Sequence, residues 1–275
     1  MPSAPQTISI LLASYNGSAF LREQLASIHA QSHKDWSLIL SDDGSCDDTL
    51  AIARACISKE RLDIFQGPQR GIALNFWNAL MKVPDGNYAA FCDQDDVWHP
   101  NKLERAFMAL HGNACPALYS SGRYVTDAQL NVLGEQSRSL VKSFARSLFR
   151  NQVAGHTCVL SPQAVQMLKR FPPAPNVPFH DWWAMLVLSA LGARFIHDPY
   201  PSLYYRQHEA NVLGAMGGRV KLIRDGTYRK WLSANHAALW HYRQHFPLRI
   251  KATLGICLPF RARLSKEQHK QMARL

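Results

Sequence analysis

Trp36-Ser37-Leu38-Ile39-Leu40-Ser41-Asp42-Asp43-Gly44-Ser45 and Tyr88-Ala89-Ala90-Phe91-Cys92-Asp93-Gln94-Asp95-Asp96 are built alike: an apolar run breaks without a spacer into a cluster of carboxylates. Each run is short, uncharged and bounded by turn-forming residues, the pattern of a strand covered on both faces of a sheet. Acids crowded at the ends of neighbouring parallel strands repel one another. A positive group is therefore expected among them, foremost a divalent cation carrying a phosphate.

The flanking sequence extends this pattern. Residues 7–13 are a further apolar run, Asn16-Gly17-Ser18 has turn chemistry, and Phe20, Leu21, Leu25 and Ile28 recur at helical spacing. Ser45 and Asp48 have the spacing of a capping box ahead of a helix carrying Leu50, Ile52 and Ala53. A short strand is expected over 62–65, a helix over 72–83, and a second helix over 100–110 with Pro100 in its first turn. Strands alternating with helices predict an α/β fold, a Rossmann-like, mostly parallel sheet flanked by helices. Its ligand should lie beyond the carboxyl ends of the strands. Both acidic clusters and Ser14-Tyr15-Asn16 occupy that edge. Beyond residue 115 the pattern mixes: strands over 117–120, 157–160, 194–197 and 203–206, a helix capped by Ser161-Pro162, and an apolar helix over 181–191. From residue 219 onward the chain reads as helix, with Val220, Ile223, Trp231, Leu239, Tyr242 and Phe246 on one face.

With 275 residues, 47% of them hydrophobic, the chain suits one large domain, or one domain with an appendage. Its net charge of +11 is unevenly placed. Residues 1–218 hold 18 Lys and Arg against 18 Asp and Glu, whereas residues 219–275 hold 13 against Asp225 and Glu267. The expected division is a catalytic domain, 1–218, and a basic, helical C-terminal appendage, 219–275. Such an excess implies an anionic neighbour, of which a membrane surface is one. The neutral body, without aromatics clustered among basic strands, argues against nucleic acid. The six cysteines include no Cys-x-x-Cys pair, as expected of buried free thiols in a reducing cytoplasm. The N-terminal residues lack the charged start and apolar core of a signal peptide, and the longest charge-free apolar stretch, 182–193, falls short of the ~20 residues of a spanning helix. A soluble or membrane-peripheral protein is expected.

Asp93-Gln94-Asp95 has the spacing at which one carboxylate can take Mg2+ or Mn2+ and the other a ribose hydroxyl or the metal's water shell. Asp42 can accept a nucleobase N–H, with Tyr15 stacked on the base, or can serve as a turn and helix cap. Asp181 follows a proline-rich loop and opens the apolar helix, a placement that suits a general base and equally a helix N-terminus. Trp182 and Trp183 fit an acceptor platform or a core, and His156 and His180 fit acceptor contacts or structure. His236, His241, His245 and His269 lack the companion ligands of a metal site.

Residues 8–17 (Ile-Ser-Ile-Leu-Leu-Ala-Ser-Tyr-Asn-Gly), 41–45 and 91–98 (Phe-Cys-Asp-Gln-Asp-Asp-Val-Trp), in that order and spacing, resemble the family 2 glycosyltransferases of the GT-A fold. Gly71-Ile72-Ala73-Leu74-Asn75-Phe76 is similar to that family's segment between the acidic clusters. His180-Asp181-Trp182-Trp183 and Tyr205-Arg206-Gln207-His208, with Asn211 and Gly214 after it, are similar to its rhamnosyltransferase-like branch. The resemblance implies an inverting, metal-dependent glycosyltransferase of cell-surface polysaccharide synthesis. It would move a sugar, rhamnose being one candidate, from a nucleoside-diphosphate sugar to a hydroxyl of a glycan or lipid-linked acceptor. On the family's pattern Ala13, Tyr15 and Asp42 would hold base and ribose, Arg70 would touch phosphate, and Asp93 would contact the nucleoside. Asp95 would bind Mn2+ or Mg2+ with Asp96 in support, His208 would add a metal or diphosphate contact, and Asp181 would be the general base. The basic appendage would place such an enzyme in the cytoplasm, on the inner face of a bacterial plasma membrane. Two rival readings remain. A sugar nucleotidyltransferase would use the same acids and metal, but Ala13-Ser14-Tyr15-Asn16-Gly17 has none of the basic residues its phosphate segment needs. The other is a non-catalytic binding protein, for nucleic acid through the basic tail, against which the neutral body and the lack of aromatics clustered among basic strands argue.

Overall fold

Four parallel strands carry the acidic clusters: β1 (Ile8–Ser14), β2 (Trp36–Asp42), β3 (Leu62–Gln66) and β4 (Tyr88–Cys92), in the order β3-β2-β1-β4. Their side chains alternate between two apolar layers, as the period of a pleated strand requires. Leu11, Ala13, Ile39, Ala89 and Phe91 enter one buried cluster, and Ile8, Ile10, Leu12, Leu38, Leu40, Ala90 and Cys92 the other. Helices α1 (Ser18–His29) and α2 (Thr49–Cys56) cover the second layer, and α3 (Ile72–Met81) covers the first. The computed structural model describes residues 7–137, 143–208, 222 and 224–256.

The other half of the sheet is mixed. β5 (Val97–Trp98) follows the second acidic cluster, and α4 (Lys102–Leu110) leads to β6 (Ala117–Thr126), which forms a hairpin with β7 (Val132–Gln136). Then come α5 (Phe144–Phe149), β8 (Cys158–Leu160), α6 (Pro162–Lys169), α7 (His180–Ala190) and β9 (Arg194–Arg206). β8 runs antiparallel to both β4 and β6, β9 is parallel to β6, and β5 is antiparallel to β9. This sets β9 beside the acidic turn between β4 and β5. The two short strands expected over 194–197 and 203–206 are one continuous strand. The register with β6 shifts around Gly122, and those irregularities disguise the alternation in the sequence.

Two helix starts differ from expectation. Asp48 is the N-cap of α2 and makes no side-chain cap bond, and Ser45, expected in the capping box, instead donates its Oγ to Asp42 at 2.6 Å. α4 begins at Lys102 behind Asn101, which leaves Pro100 ahead of the helix rather than in its first turn. α7 is buried on almost every side, so its apolar content has no amphipathic pattern. Trp182 and Trp183 are core residues, 2% and 0% exposed, and their indole N–H groups donate to the carbonyls of Ser147 and Phe171. That burial rules them out as an acceptor platform. Helices α8 (Thr227–His241) and α9 (Leu248–Ile256) pack against the same layer: Leu239, Tyr242, Phe246, Ile250 and Leu254 share one buried cluster with Trp182 and Trp183. Among the described residues, Cys92 and Cys158 are buried free thiols, whereas Cys46 and Cys115 are exposed. Asn211, Gly214, Val220, Ile223, Cys257 and His269 lie outside the described residues.

Candidate active site

The carboxyl ends of β1, β2 and β4 meet at one edge, where Ser14 stands opposite Asp42 in the parallel register. Ala13 is buried in β1, and Tyr15, the first residue beyond it, is 58% exposed. Gln94 ties this loop to the second acidic turn: its Oε1 accepts from Tyr15 N at 3.0 Å and its Nε2 donates to Tyr15 O at 3.1 Å. Gly17 makes the clamp possible, since a Cβ there would stand 2.3 Å from Gln94 Oε1.

Asp42 has a local occupation. Its Oδ1 accepts from Ser14 Oγ (2.7 Å) and Ser45 Oγ (2.6 Å), and its Oδ2 accepts from the amides of Gly44 (3.2 Å) and Ser45 (2.8 Å). A carboxylate offers about four lone-pair sites, so the side chain is filled by its own neighbours. Asp43 beside it is half-buried and, among the described residues, accepts from Gln69 N (2.7 Å) and Gly71 N (3.1 Å) alone, which leaves it spare acceptor capacity. Arg70 lies between those two amides and is exposed.

In the second cluster Asp96 is fully buried, Asp93 and Asp95 are partly so, and all three press on one another. Loss of hydration pushes the Asp93 carboxyl above its usual range; His180, Arg123 and Lys102 oppose the shift and Asp181 adds to it. Burial and then the charge of Asp93 push Asp95 up, against the relief of a hydrogen bond with His208. Burial, followed by the charges of Asp95 and Asp93, carries Asp96 well above the carboxylate range. These groups also have basic company. Lys102, fully buried, donates to His156 O at 2.9 Å. Arg123, 8% exposed, donates to His156 Nε2 at 2.7 Å and to Gln136 Oε1 at 2.9 Å. His156 Nδ1 stands 3.1 Å from Asp93 Oδ2 and 3.3 Å from Asp96 Oδ2. Arg206 donates to the carbonyls of Asp95 and Ala128 and pairs with Glu23. His208 Nε2 meets Asp95 Oδ2 at 2.8 Å, its ring stacked on Phe20.

Asp181, the one carboxylate of α7, sits in the first turn, where the helix dipole favours negative charge. Phe179, not Asp181, holds the N-cap position. Asp181 Oδ2 accepts from Gly155 N at 2.9 Å and Oδ1 from Trp182 N at 2.6 Å, so each oxygen keeps a lone pair. Gly155 precedes His156, and this contact joins Asp181 to the second acidic cluster. A Cβ at Gly155 would stand 2.4 Å from His180 Nε2 and 3.3 Å from Asp181 Cβ. The His180 ring is wedged against Phe76 and Phe91 and has no hydrogen-bond partner among the described residues.

The structure thus brings Asp93, Asp95, Asp96, Asp181 and His208 into one electrostatic neighbourhood, with Asp42, Tyr15 and Ala13 at the adjoining strand ends. Asp93, Asp96 and His156 each place a potential ligand atom within 4.8 Å of the others. Asp96 Oδ2 is buried without a well-formed hydrogen bond among the described residues. Asp93 and Asp95, two part-buried carboxyls on one turn that are both raised above their usual range, are a donor set that fits a hard cation. Sequence reasoning overlooked Gln94, Lys102 and Arg123. The available signal was Arg123 itself, a lone guanidinium in an otherwise apolar or small-residue strand, which is rarely buried without a partner.

Comparison with known proteins places this geometry. Residues 9–160 match the Glycosyl transferase family 2 profile, and the chain belongs to that family. It is a glycosyltransferase with a GT-A-type fold. It is 30% identical over 239 residues to the dTDP-rhamnosyl transferase RfbG of Shigella flexneri, covering 80% of this chain and 81% of the relative. It is 24% identical over 196 residues to the UDP-Glc:alpha-D-GlcNAc-diphosphoundecaprenol beta-1,3-glucosyltransferase WfgD of Escherichia coli, covering 70% and 76%. Among solved structures, the mannosyltransferase PcManGT of Pyrobaculum calidifontis, in complex with GDP-Man and Mn2+, superposes with a TM-score of 0.55 at 16% identity, over 99% of this chain and 84% of that one. S. aureus TarS 1–349 with UDP-GlcNAc gives 0.58 at 14% identity, over 90% and 78%. Family membership decides against both the nucleotidyltransferase and the non-catalytic readings.

Proposed function

We propose that this enzyme transfers a sugar, rhamnose foremost, from a nucleoside-diphosphate sugar to a hydroxyl of a glycan or lipid-linked acceptor, with inversion at the anomeric carbon. The observation that carries the reading is the meeting of Asp181 with the Asp93–Asp96 turn through Gly155 and His156. The rhamnosyl relative supports the sugar, and the glucosyltransferase relative, named for a diphosphoundecaprenol substrate, supports a lipid-linked acceptor.

In this reading Tyr15 flanks the nucleobase, with Ala13 below it and Asp43 supplying the acceptor for a base N–H that Asp42 has no free lone pair to give. Asp42 holds the Ser14 and Ser45 loops in place. Arg70 reaches phosphate. Asp95, with Asp93 beside it and His208 against it, would hold Mn2+ or Mg2+, which when bound neutralises charge on the departing nucleoside diphosphate. Asp181 takes the proton of the acceptor hydroxyl on the spare lone pair of one oxygen while Gly155 N and Trp182 N fix the carboxylate plane. Incubation with dTDP-rhamnose and UDP-glucose, with and without Mn2+, followed by assay of nucleoside diphosphate release and of the product's anomeric configuration, tests this. Retention of configuration, or release with neither donor class, overturns it.

We also infer attachment to the inner face of the bacterial plasma membrane through the basic C-terminal region. Among the described residues no helix is long and apolar enough to cross a membrane. On α9, Leu248 (81% exposed) and Ile256 (82% exposed) lie on one side with exposed Ala252 between them, and Arg243 and Arg249 are exposed nearby. Apolar anchors flanked by cations suit an anionic leaflet, each cation adding about 1 kcal/mol. Sedimentation with vesicles that is indifferent to anionic lipid removes this inference.

A further inference from the structure

Arg123, His156 and Asp93 form a chain of contacts that runs from β6 through the turn before β8 to the donor-side acids. Arginine has five N–H donors and no acceptor. The 2.7 Å contact between Arg123 NH1 and His156 Nε2 therefore requires Nε2 to be the acceptor. The ring then carries its proton on Nδ1, the nitrogen 3.1 Å from Asp93 Oδ2. Arg123 is itself immobilised, held by Gln136 Oε1 at 2.9 Å and lying over the Tyr205 ring at 4.3 Å, against which the His156 ring also packs at 4.8 Å. Lys102 fixes the His156 backbone through its carbonyl. The small pocket behind Arg123, lined by Ser120, Gln136, Gln152 and His197, has about 10 Å3, room for one water.

We infer that His156 is a positioning residue: Arg123 sets its tautomer, and its Nδ1–H pins one oxygen of Asp93 so that the other faces the nucleotide. The nitrogen nearest the acids carries a proton, and His156 is therefore not a ligand for a cation, despite its closeness to Asp93 and Asp96. The inference rests on the reading of Asp93 as a donor-site residue.

Two measurements on the full chain test it. Long-range 15N–1H correlation of histidine-labelled protein, with the His156 signals identified by their loss in His156→Asn, should show the Nδ1–H tautomer; an Nε2–H ring overturns the relay. Calorimetry with dTDP and UDP in the presence of Mn2+ should show His156→Ala weakening binding by about 10- to 100-fold. His156→Asn, whose amide N–H can stand where Nδ1–H stood, should recover at least tenfold of that loss. His156→Gln, whose N–H is placed one bond further out, should not. Equal losses in the Ala and Asn variants, each folded by circular dichroism, would mean the ring serves only packing and would defeat the proposal. If the unmodified protein binds neither nucleotide, the donor-site reading itself falls; if it binds and His156→Ala binds equally well, only the positioning role falls.

Discussion

Replacing Asp181 by Asn separates chemistry from scaffold, because the structure says what each costs. The two carboxylate oxygens accept one backbone N–H each, from Gly155 at 2.9 Å and Trp182 at 2.6 Å. An amide of the same shape can accept from only one of them, and its NH2 must face the other. One lost hydrogen bond with a donor turned on a donor costs about 1–3 kcal/mol. In a folded unit of this size each kcal/mol lowers Tm by about 2–4 °C. The amide cannot take a proton from an acceptor hydroxyl, and positioned base catalysis contributes about 10²–10⁴-fold. Asp181→Asn should therefore unfold a few degrees early, bind dTDP or UDP within a few-fold of the parent, and turn over at least ~100-fold more slowly. The assay is nucleoside diphosphate release at saturating donor, run well below both melting temperatures, with calorimetry on the same samples. Turnover within threefold of the parent would refute the base assignment. Equal loss of nucleotide binding and turnover would show that Asp181 acts through the donor pocket instead.

Gly155→Ala keeps the carboxylate but forces a Cβ to within 2.4 Å of His180 Nε2, so thermal unfolding should register a loss of about 1–3 kcal/mol from overpacking. Asp42→Asn should act on stability, by about 1–3 kcal/mol, since an amide cannot accept the four donors that Asp42 now satisfies. Asp43→Ala should instead raise the Kd for dTDP and UDP with a smaller change in melting; the opposite ranking in calorimetry and unfolding rejects the division of roles. Burial pulls the Lys102 ammonium down from its ordinary 10.5 to about 8, so the unfolded chain binds more protons between those values and stability contributed by this group rises with pH there. The penalty is full below pH 8 and is relieved by about 3 kcal/mol as pH approaches 10.5. Lys102→Met should remove that upward slope from the denaturant-unfolding profile, and a profile parallel to the parent's would contradict the burial argument.

The first half of the sheet was readable because each of its strands is covered on both faces and bounded by turn residues; β1, β2 and β4 differ from the expected spans by a residue or less. The second half resisted for physical reasons. β5 has two residues, β7 is exposed throughout, and β9 continues through Pro199 and Pro201 by shifting register against β6 rather than by keeping an alternating pattern. In the site, spacing located the acids but not their hydrogen bonds. Asp42 and Asp43 are equivalent in sequence, and only the partners supplied by Ser14, Ser45, Gln69 and Gly71 tell a filled carboxylate from an open one.

The same limit applies to the argument that crowded acids require a bound cation. The fold supplies positive charge of its own, unevenly. Arg123 and Lys102 relieve Asp93, and Arg123 relieves Asp96, whereas Asp95 has His208 as its main relief, and Arg206, which touches the Asp95 carbonyl, is already paired with Glu23. Arg123 opposes the rise of Asp96 without cancelling it: burial and the two neighbouring charges still carry that carboxyl well above the usual range, so Asp96 is the acid of the three held most readily in its neutral form. The unmet demand for positive charge is at Asp95. It follows that Asp95→Asn should abolish the Mn2+-dependent part of dTDP or UDP binding. Asp96→Asn should preserve it and show its effect in stability instead. Calorimetric titrations with and without Mn2+ distinguish the two, and retention of metal dependence in Asp95→Asn with its loss in Asp96→Asn would move the cation site to the buried acid and take His156 with it.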